Sequence, residues 1–110
     1  MQRVSLVIAL GSMASSILLA FSAAVAGVTG DRELGQYLSS ECVTCHLLSG
    51  KVVGGVPAIV GVDAVSFVAV MNSYKKKERD NQAMQAIASK FNDEEIAALA
   101  VYFESVKPKR

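Results

Sequence analysis

The sequence predicts an all-α protein. Two stretches carry the prediction. Phe67, Val70, Met71 and Tyr74 recur at helical spacing, and the segment beginning at Asn92 joins a helix-start signal to an apolar stripe at Ile96, Leu99, Ala100 and Phe103. No run in the chain demands a sheet. At 110 residues, without internal repeats, there is room for one domain and one core.

The first element is not part of that core. Met1-Gln2-Arg3 forms a basic tip, a mainly apolar run extends from Val4 through Leu10 and Ile17 to Phe21, and small residues end it at Ala24-Val25-Ala26. This is the layout of a secretory signal with an Ala-x-Ala exit, so the expected organisation is a signal peptide over 1–26 and a domain over 27–110, exported to the periplasm. The competing reading is a retained membrane anchor, since Val4 to Ala26 covers the roughly 20 residues a spanning helix needs. Gly11, Ser12, Ser15 and Ser16 interrupt the apolar run and favour cleavage. The remaining domain is of a size that often leans on a metal, disulfide or cofactor for stability. A formal net charge of +1 argues against nucleic acid as a partner.

Asp31 to Ser40 reads as the first helix, with an acidic N-terminal turn and with Leu34 and Leu38 one turn apart. Gly35 inside it costs about 1 kcal/mol relative to alanine. That cost points to another backbone passing close by, the alternative being a tolerated surface glycine.

The helix runs into Cys42-Val43-Thr44-Cys45-His46, the C-x-x-C-H spacing of c-type haem attachment. Two thiols three positions apart on a helical turn reach the two vinyl groups of one porphyrin, and the adjacent imidazole of His46 falls under the iron. Other uses of these residues fit less well. A zinc site needs four ligands, and the chain has two Cys and one His. A thioredoxin-like pair expects strand-rich flanks, whereas these flanks read as helix. A Cys42–Cys45 disulfide would close a very small loop and contribute little. The expected cofactor is therefore one covalent haem c.

Ser49 to Pro57 is rich in turn residues and is expected to wrap the haem edge. Asp63 is placed to cap a helix running to about Lys77, whose basic end, Lys75 to Lys77, suits the negative pole of the helix dipole. The usual sixth ligand of an electron-transfer haem c is a methionine sulfur, and beyond position 26 the choice lies between Met71 and Met84. Met71 sits in helical periodicity and reads as core packing. Met84 follows a polar stretch that reads as a surface loop, from which a side chain folds back over a haem face more easily, so Met84 is favoured. If neither binds, the haem is five-coordinate. The last helix has Asn92 as cap, Asp93-Glu94-Glu95 in its first turn and Glu95 at the capping-box position, and Pro108 closes the chain.

These pieces resemble the small class I bacterial cytochromes c, and most of all the haem domains of the cytochrome subunit of flavocytochrome c sulfide dehydrogenase. The resemblance runs through Gly35-x-x-Leu38, Cys42-x-x-Cys45-His46, Pro57-Ala58-Ile59-Val60-Gly61, Tyr74-Lys75 with Glu78-Arg79, Met84-x-x-Ile87-Ala88, and Asp93-Glu94-Glu95-Ile96 leading to Leu99-Ala100-x-Tyr102-Phe103. It implies the small class I cytochrome c fold, with the first and last helices crossing near Gly35 and Tyr102. It also implies Met84 as the axial methionine, Met71 at a core position, and the Pro57 carbonyl accepting a bond from the ligating imidazole. Arg79 or Lys75 is a candidate for a haem propionate, with a solvated basic loop as the plainer reading. The chain departs from the family at Leu47-Leu48, where glycine usually follows the haem histidine, and at Lys77, where glycine is common. The Leu47-Leu48 pair is a candidate docking patch, burial being the default for leucine.

The function expected is periplasmic electron transfer rather than catalysis, through a haem with His46/Met84 ligation. The chain would act either as a free carrier or as the haem subunit of a redox enzyme such as a sulfide-oxidising flavocytochrome. The expected partners are redox proteins: a flavoprotein, another cytochrome or a terminal oxidase. Two alternatives stand beside it: a five-coordinate haem module binding a diatomic gas, and a membrane-tethered relay that keeps residues 4–26.

Overall fold

The computed structural model describes residues 27–109, with Ser5 and Gly11 as isolated positions before them. The expected signal segment, and with it the choice between cleavage and a tether, lies outside the described residues. Within them the fold is all-α, in agreement with the sequence. Five helices run in the order α1 (Arg32–Leu38), α2 (Ser40–Val43), α3 (Ala64–Lys75), α4 (Gln82–Ala88) and α5 (Asp93–Ser105). The only β-type pairing among the described residues is an isolated bridge between Val53 and Val56. This arrangement is consistent with a small cytochrome-c-like fold.

Local chemistry explains where the helices begin. Asp31 accepts bonds from the Glu33 and Leu34 amides at the start of α1, Asp63 from Ser66 at α3, and Asn81 from Met84 at α4. At α5 the capping box is complete, with the Asn92 side chain accepting from the Glu95 amide and the Glu95 side chain from the Asn92 amide. Two of the four orphan amides at that helix start are thereby satisfied.

α5 is the central support of the core. Its stripe of Ile96, Leu99, Ala100 and Phe103 is at most 1% exposed, as the periodicity predicts. Phe67 of α3 stacks on Phe103 with ring centroids 5.7 Å apart, and Tyr102 meets Phe103 edge-on at 5.1 Å. α1 crosses α5 at Gly35, where a Cβ atom would overlap the Ala98 carbonyl oxygen and lie 2.8 Å from the Tyr102 Cβ. Gly35 is therefore not a tolerated surface glycine; its missing side chain lets the two backbones meet.

α3 ends earlier than expected, at Lys75, with Lys76 as its C-cap. Lys77 then takes a left-handed conformation with φ of 58°. That is the conformation glycine adopts at least cost, and it explains why a glycine is common here in the family the sequence resembles. The chain turns at this point, the Glu78 and Arg79 amides both donating to the Ser73 carbonyl.

Candidate functional site

The end of α2, the loop that follows it, α3 and α4 enclose a cavity of about 500 Å³. Cys42, Cys45 and His46 line it from one side of the sequence, Pro57 from the loop, Met71 from α3 and Met84 from α4. Ile59, Val62, Phe67, Val70 and Ile87 complete a mainly apolar wall. A space of this size and character suits a mostly apolar, drug-sized or larger ligand.

His46 is 8% exposed, and its Nδ1 lies 2.6 Å from the Pro57 carbonyl oxygen. A carbonyl can only accept, so Nδ1 carries the proton and donates. In the neutral ring Nε2 then has no proton and keeps its lone pair for a metal. The segment Pro57-Ala58-Ile59-Val60-Gly61 is held for this contact: Val60 is buried, and the Gly61 amide donates to the Phe103 carbonyl at 2.8 Å.

The two thiols differ. Cys42 is buried and Cys45 exposed, and neither is in a disulfide. Burial, with a smaller contribution from the neighbouring Glu41 carboxylate, pushes the Cys42 thiol up to about 11. Redox-active C-x-x-C pairs work through a lowered thiol pKa, so this environment runs against a thioredoxin-like use. Among the described residues no three His, Cys, Asp or Glu side chains gather where they could hold a metal ion by themselves.

Both candidate methionines line the cavity. Met71 is 4% exposed and belongs to the packed core, whereas Met84 is half-buried and touches the core only at its edge. The expectation that Met84 lies on a loop is corrected: it occupies the first turn of α4, its amide bonded to Asn81 Oδ1 at 3.0 Å. The polar loop ends at Asn81, and the short helix after it presents Met84, Ile87 and Ala88 to the interior. That spacing is present in the sequence, but three apolar residues over two turns give a weak periodic signal.

Of the two basic candidates, Lys75 is committed elsewhere, its Nζ donating to the Phe91 carbonyl at 2.6 Å. Arg79 lines the cavity. Its Nε donates to the Tyr74 hydroxyl at 3.1 Å, and its guanidinium carbon sits 5.5 Å from the Tyr74 ring centroid. Arg79 is exposed, as a loop cation is expected to be, and its contacts with Tyr74 hold it at the rim of the cavity. Leu47 and Leu48 are not in the cavity wall; Leu48 is 40% exposed.

No family model matches the chain. The chain is similar to a protein of Stutzerimonas stutzeri (strain A1501) named thiosulfate dehydrogenase electron acceptor, with 33% identity over 67 residues, which is 59% of this chain and 31% of that protein. The chain therefore spans about a third of the length of the curated relative it matches.

Proposed function

We propose that the chain is an exported electron-transfer protein carrying one haem c, attached through Cys42 and Cys45 and ligated by His46 and Met84. The observation that carries this reading is the 2.6 Å bond from His46 Nδ1 to the Pro57 carbonyl. It fixes the tautomer of an imidazole next to two thiols at C-x-x-C-H spacing, and it faces that group into an apolar cavity. When bound, the haem supplies an iron that alternates between ferric and ferrous states, and a thioether ligand favours the reduced one.

The chain's own residues have distinct tasks. Cys42 and Cys45 hold the macrocycle as thioethers, which also ends their life as free thiols. His46 presents Nε2, with Pro57 keeping the ring in orientation. Met84 supplies the sixth ligand, because Met71 is a core residue of α3 and α4 is the more peripheral element. The apolar wall of Phe67, Val70 and Ile87 excludes water, and Arg79 on Tyr74 receives a propionate at the rim. Electron donation comes from a dehydrogenase: a flavoprotein, as the sequence resemblance implies, or one of the kind named in the similar protein. A role as electron acceptor in that name supports a carrier over an enzyme.

The experiment is an optical spectrum, oxidised and reduced, of protein expressed with export and cytochrome maturation intact. A low-spin reduced c-type spectrum with the weak near-red band of sulfur-ligated ferric haem is expected. A high-spin spectrum that added carbon monoxide shifts in the reduced state would replace the carrier with a gas-binding module. Absence of covalent haem would overturn the reading altogether.

A further inference from the structure

The amide groups at the start of α3 have two different partners. Asp63 caps the helix within itself, its carboxylate accepting from the Ser66 amide at 2.9 Å and the Ser66 hydroxyl at 2.7 Å. The Ala64 amide instead donates to Glu104 Oε2 at 2.6 Å, a residue 40 positions later in the last turn of α5. For α5 itself a carboxylate there is unfavourable, because the C-terminal pole of a helix is negative and favours cations. No basic residue occupies that turn. For α3 the same carboxylate is favourable, since it meets the positive N-terminal pole. Glu104 is locally out of place and makes sense only across the two helices.

The junction it holds leads to the imidazole. Between Pro57 and Ala64 the chain is fastened to the last turn of α5 at two points, by the Gly61 amide on the Phe103 carbonyl and by the Ala64 amide on Glu104, with Val60 buried between Pro57 and Gly61. Pro57 itself is exposed, so its carbonyl owes its place to these downstream anchors. We propose that Glu104 is a positioning residue for His46: it fastens the start of α3 to the end of α5 and so fixes the Pro57 carbonyl that orients the imidazole. The inference rests on the haem reading for its functional meaning. A firm Nδ1–H···O=C bond makes the imidazole a more basic ligand, and loosening it weakens electron donation to the metal.

The test compares Glu104→Ala, Glu104→Gln and Asp63→Ala in the exported, nitrogen-15-labelled holoprotein. Three quantities are read: hydrogen exchange at the Ala64 amide, exchange at His46 Nδ1–H, and midpoint potential. Glu104→Ala is expected to speed both exchanges about tenfold, the scale of one lost charge-assisted hydrogen bond, and to shift the potential upward. Glu104→Gln keeps an acceptor oxygen and is expected to restore most of the wild-type values. Asp63→Ala removes the cap internal to α3; it should lower global stability while leaving His46 Nδ1–H and the potential in place. The proposal is overturned if Glu104→Ala leaves Nδ1–H exchange and potential unchanged, or if Asp63→Ala moves them equally. Should the alanine variant not fold, Glu104→Asp, whose shorter side chain falls away from Ala64, gives the same comparison by degree. A wild-type protein without covalent haem would sink the functional reading separately, and Nδ1–H exchange in that same protein would still decide the role of Glu104.

Discussion

Replacing Gly35 by alanine sets two effects of opposite sign against each other. In a solvated helix the change gains about 1 kcal/mol of helix propensity. In this fold the added Cβ would overlap the Ala98 carbonyl oxygen and lie 2.6 Å from its carbon and 2.8 Å from the Tyr102 Cβ. The first two are backbone atoms of α5, a helix whose opposite stripe is wholly buried, so neither can swing aside as a flexible side chain would. Relief requires α1 and α5 to separate, and overpacking of this kind costs about 1–3 kcal/mol and occasionally more. We expect the packing cost to exceed the propensity gain, for a net loss of about 2 kcal/mol and a fall in Tm of about 10 °C for a domain of this size. Thermal and denaturant unfolding of the haem-loaded protein, followed by far-UV circular dichroism, measure it. A Gly35→Ala protein as stable as wild type, or more so, would refute the crossing as described.

Four further substitutions separate the roles of other residues. Met84→Ala is expected to abolish the near-red sulfur band and allow carbon monoxide to bind the reduced protein, whereas Met71→Ala should keep both spectra and lose about 2–5 kcal/mol of stability as a truncated core residue. Asn92→Ala, which breaks the capping box of α5, should lower stability by about 1 kcal/mol in denaturant titrations. The Asp63 carboxyl is held below the usual carboxylate range, first by the Ser66 hydroxyl and then by the Ser66 amide. A depressed folded-state pKa gives stability that is present at neutral pH and is lost as pH falls through that depressed value. Asp63→Ala should therefore be less stable than wild type at neutral pH, with the gap closing in strong acid; a gap independent of pH would remove Asp63 from the acid response.

The parts of this fold that sequence conveys are those where signals coincide. In α5 the cap, the acidic first turn and the apolar stripe all name the same helix, and the stripe is buried as the periodicity requires. At Gly35 an unfavourable residue inside a helical pattern points to a close approach, which is found against Ala98 and Tyr102. Cys42, Cys45 and His46 are singled out by their spacing, and the structure sets all three in the wall of one cavity. Met84 was legible as a candidate but not in its setting: α4 has seven residues and too short a pattern to distinguish it from the loop before it. Arg79 and Glu104 are harder still. The first reaches the cavity rim because Lys77 reverses the chain through a left-handed residue, and the second serves a helix 40 positions away. No local pattern encodes either, since each depends on elements that meet only after folding.

The crossing of α1 and α5 also orders events in time. The helix that leads into Cys42, Cys45 and His46 finds its main packing partner in α5, the last helix of the described chain, so contacts spanning some sixty positions must form before α1 is held in place. Such distant contacts repay their loop-closure cost late. During synthesis the C-x-x-C-H segment is therefore displayed before the helix that leads into it is packed. The thiol of Cys42, buried at the end, is open at the beginning, and the meeting of α1 with α5 belongs to the late events that bury it.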